Sequence, residues 1–185
     1  LGLQDRVEIE WQPFELNSDM PSEGEELRAH IARKYGSSKA ESDRSRESIS
    51  QAGAEHGFNF NFFDGMKIVN TLDAHVLLDY AHQVGKQTEL KKRFFSAYFT
   101  EHKDVSDRNV LIQEAEAVGI SAKQSKKALA DQSIKNRVKA QIAQWQQMGV
   151  SGVPTVVFNQ KSALTGAQPQ ETFKQVLLEI IESEK

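Results

Sequence analysis

The 185 residues include no cysteine, so the most reactive nucleophile of the common side chains is missing and chemistry must be sought elsewhere. Gly152, Val153 and Pro154 stand out, because they lead through Thr155 directly into the apolar run Val156-Val157-Phe158. Locally this Pro has an ordinary reading. A Pro at the first residue of a strand removes no ladder N–H, and only about 5–6% of X–Pro bonds in folded proteins are cis. The side-chain candidates are few. His75 and His82 are seven residues apart and can share a helix face, yet two histidines without a third ligand make a poor zinc site, so no metal is expected. Glu25 and Glu26 fall on a polar helix and suggest no acid–base dyad. The basic runs Lys91-Lys92-Arg93 and Lys126-Lys127 read as solvated helix faces. Phe58, Phe60, Phe62 and Phe63 form an aromatic cluster whose simplest role is packing where two parts of the fold meet; a peptide-binding lip is the lesser reading.

The elements that must position these residues are legible from periodicity. After the apolar run, Asn159-Gln160 reads as a two-residue hairpin connection to a short segment at Ser162 to Thr165. Pro169 suits the first turn of a helix, where its missing N–H is no loss. Phe173, Val176, Leu177, Ile180 and Ile181 then make one apolar stripe. Residues 7–14 read as a strand. Between that strand and Val153 the pattern is helical. Leu27, Ile31 and Tyr35 mark a helix over 23–35, closed by Gly36. Residues 37–56 are polar, with Ile49 and Ala52 facing inward. Asn70 caps a helix whose inner face is Leu72, Val76, Leu77 and Tyr80, ending near Gly85. Leu90, Phe94 and Tyr98 mark the next, and helices over 107–118, 121–130 and 131–148 follow, the last with Ile134, Val138, Ile142 and Trp145 on one side. The whole reads as an α/β core (1–20 and 136–185) carrying a helical subdomain (21–135).

The order Pro, strand, hairpin, strand, helix resembles the C-terminal half of the thioredoxin fold. The wording narrows it. Met148 through Thr155, continued by Val157-Phe158-Asn159 and by Thr165-Gly166-Ala167-Gln168-Pro169, is similar to the FrnE-like branch of the DsbA family. Trp11-Gln12-Pro13-Phe14-Glu15-Leu16-Asn17 and Ile68 through His75 resemble two further segments of that branch, with Val76 departing from the basic residue common there. The resemblance implies a cis Val153–Pro154 bond that turns the Val153 backbone toward an extended peptide, which then pairs as an added strand. It implies Gly152, Val153, Pro154, Asn70 and His75 as substrate-contacting positions, although His75 also fits a plain structural or solvent-facing role. It further implies a Cys-x-x-Cys at the end of a first strand, upstream of residue 1. That strand would sit between 7–14 and 155–158, holding them at about twice the 4.8 Å interstrand spacing. The fold expected is therefore a thioredoxin-like α/β fold with a large α-helical insertion and its N-terminal strand outside these residues.

The expected activity is thiol–disulfide oxidation or isomerisation of protein or peptide substrates, with no cofactor and no catalytic residue within residues 1–185. The alternatives are a glutathione-using isomerase or transferase similar to 2-hydroxychromene-2-carboxylate isomerase, and a peptide-binding relative without thiols. Composition excludes other classes. With 38% hydrophobic and 26% charged residues and a net charge of -3, neither disorder nor a nucleic-acid partner is suggested. No apolar run approaches the ~20 residues of a membrane span, and a cytoplasmic location is expected.

Overall fold

The computed structural model describes residues 4–183. Among these residues, eight α-helices and two small two-stranded antiparallel sheets follow a 3-10 turn at Gln4–Arg6. The first sheet pairs β1 (Glu25–Glu26) with β2 (Lys67–Ile68). Between them run α1 (Leu27–Tyr35) and α2 (Lys39–Glu55), and after them α3 (Leu72–Gln83), α4 (Gln87–Phe99), α5 (Arg108–Ala117), α6 (Ala122–Ala130) and α7 (Gln132–Gln147). The chain closes with β3 (Thr155–Phe158), β4 (Ser162–Thr165) and α8 (Gln170–Ser183).

The core forms around α3, which packs against α4, α5, α6 and α7. Its Val76, Leu77, Leu78 and Ala81 meet Leu90, Phe94 and Ala97 of α4, Leu111 of α5 and Val138 of α7 in one continuous buried cluster. Local sequence ends these helices cleanly. Ser121 and Gln124 form a reciprocal capping box on α6, and the Asp107 and Asp131 carboxylates accept from Asn109 N and Ser133 N at the starts of α5 and α7. Such caps are each worth about 1 kcal/mol. Gly36 ends α1 at φ 68° with its N–H donating to Ala32 O, as its position after Tyr35 leads one to expect.

Several expectations are corrected. Residues 7–14 form no strand. A strand needs a neighbouring ladder, and here side chains take its place: Trp11 N donates to Gln87 Oε1 at 3.0 Å, and Gln87 Nε2 donates to Trp11 O at 2.9 Å. The helix expected from residue 23 begins at Leu27, because Glu25 and Glu26 are held in β1 and the Glu26 carboxylate caps α1 by accepting from Ala29 N. Glu25, expected on a polar helix, instead accepts from Arg33 and pairs with the buried His30. On α2, Ile49 and Ala52 are exposed, whereas Ser42, Arg46 and Gly53 face inward. Gly53 is needed there for closeness, since a Cβ would lie 2.5 Å from the Phe60 ring. The hairpin connection has three residues, Asn159, Gln160 and Lys161, with φ of 48° and 57° at the first two.

The C-terminal hairpin and helix are correctly ordered but not buried. β3 pairs only with β4, in the register Thr155↔Thr165 to Phe158↔Ser162, and Val156 is exposed. No residue of α8 is buried, and no Cα of α8 comes within 8 Å of a Cα in another helix or strand. Its apolar stripe is therefore only half covered. Among the described residues no hydrogen bond joins 7–14 to β3.

Gln87→Met keeps the volume of a buried side chain but leaves the Trp11 N–H and C=O without their partner. An isolated buried donor or acceptor costs about 1–3 kcal/mol, so chemical denaturation of the variant should show a loss of that order.

Candidate functional site

Residues 152–154 form a bend that leads into β3 at Thr155, with Val153 and Pro154 exposed. The Val153–Pro154 bond is cis, as the resemblance implies. Thr155 Oγ1 donates to Gly152 O at 2.8 Å, and Gly166 N donates to Pro154 O at 2.8 Å, closing the open end of the hairpin. Val153 is 52% exposed, and a Cβ on Gly152 would meet no atom within 4 Å. β4 occupies one edge of β3 and leaves the other edge unpaired among the described residues. Such an edge presents a row of N–H and C=O groups to which an extended chain can add.

Asn70 and His75 lie at the start of α3, and no hydrogen bond ties them to the bend. Asn70 is not the capping residue expected: Thr71 occupies that position without a side-chain bond, while the Asn70 Oδ1 accepts from Leu72 N at 3.0 Å one residue earlier in the turn. His75 is buried, with its Nε2 3.1 Å from Phe14 O. Desolvation by burial, reinforced by the positive charge of Lys91, lowers its pKa to about 4. The ring is therefore neutral at pH 7, and Nε2 carries the proton it donates to the carbonyl. The bond gives His75 a structural part in holding residue 14 against α3.

His75 also lines a cavity of about 320 Å³, formed where residues 10–13 cross α3, α4 and α7. Trp11, Pro13, Gln87, Lys91 and Arg137 contribute to its wall, and so does His82. The two histidines thus share one face. None of residues 152–154 reaches this cavity. The basic run Lys91-Lys92-Arg93 is not a solvated face as expected: Lys91 lies under the Trp11 ring, and Arg93 donates to the buried carboxylate of Glu114. Nor do the four Phe side chains join the main core. Phe60 packs edge-on against Phe99 of α4 at 5.0 Å and stacks on Phe62, forming a satellite cluster on the helical side. Gln87 carried no sequence signal and Lys91 was read only as part of a basic run, since a polar helix residue reads as solvated until the segment that crosses it is placed.

The match to known proteins agrees with this architecture. The DsbA-like thioredoxin domain matches residues 2–178. The chain belongs to the DsbA family. It superposes on the crystal structure of a probable DsbA oxidoreductase from Streptomyces coelicolor with a TM-score of 0.89 and 26% identity, covering 96% of this chain and 77% of that one. A candidate protein disulfide isomerase from Nitrosomonas europaea has a similar fold, with a TM-score of 0.66, 16% identity and coverage of 85% and 89%. The uncharacterized protein YwbO of Bacillus subtilis is 24% identical over 177 residues, which is 92% of this chain and 81% of YwbO. The DsbA family is one of thiol–disulfide oxidoreductases, and its thioredoxin fold with a helical insertion is the architecture described above. Among the described residues no helix is long and apolar enough to cross a membrane.

The buried His75 makes stability pH-dependent. Its folded pKa of about 4 lies below the ordinary 6.5. Between these values the unfolded chain takes a proton that the folded one refuses, so stability is full above pH 6.5 and falls as pH drops toward 4. The loss approaches about 3 kcal/mol. His75→Gln should flatten this part of the stability profile measured by urea unfolding at stepped pH.

Proposed function

We propose that the protein is a thiol–disulfide oxidoreductase or isomerase of the FrnE-like branch, acting on protein or peptide thiols and disulfides, with a dithiol supplied by residues upstream of residue 1. The observation that carries this reading is the unpaired outer edge of β3, preceded by the exposed bend at Gly152, Val153 and Pro154. An extended substrate can hydrogen-bond to that backbone whatever its side chains, which suits an enzyme that handles many partners. The half-covered stripe of α8 supports it from the other side, because an apolar face of that length is the kind that packs on a sheet. A strand lying between residues 7–14 and β3 would cover the stripe and place its C-terminal end beside the bend.

In this reading a thiolate activated at a helix N-terminus attacks one sulfur of the substrate disulfide, and the partner sulfur leaves as thiolate. The second thiol then attacks the mixed disulfide, releasing reduced substrate and leaving the enzyme oxidised; the reverse sequence oxidises a substrate dithiol. Residues 152–155 take no part in the electron transfer. They hold the substrate backbone so that its sulfur approaches in line.

Full-length protein should reduce insulin, and iodoacetamide labelling should count a redox-active cysteine pair upstream of residue 1. A full-length protein without that pair, or one that has it and gives no turnover, overturns the proposal. A charged Val153→Lys variant should slow insulin reduction severalfold while leaving reduction of a small aromatic disulfide nearly unchanged, because only the extended substrate lies along β3.

A further inference from the structure

The cavity behind residues 10–13 contains a cation that the protein leaves uncompensated. Arg137 donates through Nε and Nη2 to the two carboxylate oxygens of Asp79. His82 faces Glu10, its Nε2 3.9 Å from Oε1. His75 is neutral and committed to Phe14 O. Lys91 alone among the cavity's cationic groups has no carboxylate within salt-bridge reach among the described residues. Its ammonium rests 4.7 Å from the centroid of Phe95 and 5.9 Å from that of Trp11. Such ring contacts contribute about 0.5–2 kcal/mol, and the half-buried ammonium gives up part of its hydration without an ion pair in return. Desolvation accordingly lowers the Lys91 pKa.

The wall beside Lys91 is suited to a specific complement. Gln141 of α7 lines the same cavity, and its carboxamide makes no hydrogen bond among the described residues. Leu78, Pro13 and the Trp11 indole supply apolar surface. A volume of about 320 Å³ falls at the small end of the ~300–1,000 Å³ range of ligand pockets. A cation and a free amide donor recognise a carboxylate, and the apolar wall takes the body attached to it.

We propose that this cavity binds a small organic carboxylate, with Lys91 as the counter-ion and Gln141 donating to the second oxygen. The inference stands on Lys91, Gln141 and the cavity and requires no thiol chemistry, so it survives or fails independently of the reading above. It assigns no catalytic step to the ligand. Binding would restore the charge balance that α4 lacks and would tie α4 to α7 across residues 10–13.

Benzoate and inorganic phosphate serve as probes, titrated into full-length protein by calorimetry at pH 7. Benzoate should bind saturably, phosphate should not, and Lys91→Met should weaken benzoate by about tenfold or more, the loss expected for one hydrogen bond to a charged group. In the unaltered protein, NMR should show the Lys91 ammonium pKa rising as benzoate saturates, a readout that does not depend on any variant folding. Absence of saturable benzoate binding, equal binding by Lys91→Met, phosphate binding as tight as benzoate, or a Lys91 pKa that does not move would each overturn the proposal.

Discussion

Every buried N–H and C=O must find a partner, and how this chain meets that requirement separates its two halves. In the helical half the requirement is met inside the chain. Helical bonds satisfy the backbone of α3 through α7, and the one irregular segment crossing them, residues 7–14, is satisfied by side chains. Gln87 does for Trp11 what a neighbouring strand would do, donating to its carbonyl and accepting from its N–H. His75 does the same for Phe14 O, and Trp11 Nε1 donates to Thr88 Oγ1 at 3.0 Å. The segment is therefore fixed by polar contacts to α3 and α4. In the C-terminal half, the outer edge of β3 has no such partner among the described residues.

Charge is handled with the same selectivity. Glu114 is buried, and both of its oxygens are engaged, one by Arg93 and one by Lys103 at 2.7 Å. Lys103 and Arg93 also reach Glu101, so two cations and two carboxylates form a closed network. Breaking one member of a buried network leaves the others uncompensated, which is costlier than the net worth of the pair. Lys91, two residues before Arg93 and on another face of α4, receives aromatic rings in place of carboxylates. One helix thus carries a satisfied cation and an unsatisfied one. Arg46 is likewise buried beside an aromatic ring, that of Phe62, without a carboxylate partner among the described residues, so what sets Lys91 apart is the cavity it faces.

Much of this was legible in the sequence where a local rule acts alone. Gly36, Asp107, Ser121 and Asp131 end or start helices through their own backbone or side-chain chemistry, so their positions could be read from residue type and spacing. The stripe Val76-Leu77 with Leu90, Phe94 and Val138 was readable because a core of helices repeats every three to four residues. Residues 7–14 were misread because alternation identifies a segment suited to pairing, not whether a strand or a glutamine supplies the pairing. Ile49 and Ala52 were misplaced because α2 is nearly all polar, and the face it turns inward is chosen by the Phe58–Phe60 packing that requires Gly53. The cis Val153–Pro154 bond was legible from the wording around it, whereas Gln87, Lys91 and Gln141 came together only through long-range crossings.

The division between these parts bears on how the proposed substrate-pairing edge of β3 would be regulated. The helical half holds a continuous buried core of its own, whereas β3, β4 and α8 contribute nothing to it. A hairpin with one helix lacks the layers a stable α/β unit needs; on the proposed reading, its apolar side chains gain full burial when an upstream strand and its attached helix pack between it and residues 7–14. On the proposed reading, that strand also carries the nucleophilic thiol. Order in the substrate-pairing bend and delivery of the thiol then depend on the same packing event. The proposed substrate-pairing backbone would then be most sharply formed only when the attacking thiol is beside it, which couples recognition to reactivity through apolar burial and needs no separate switch.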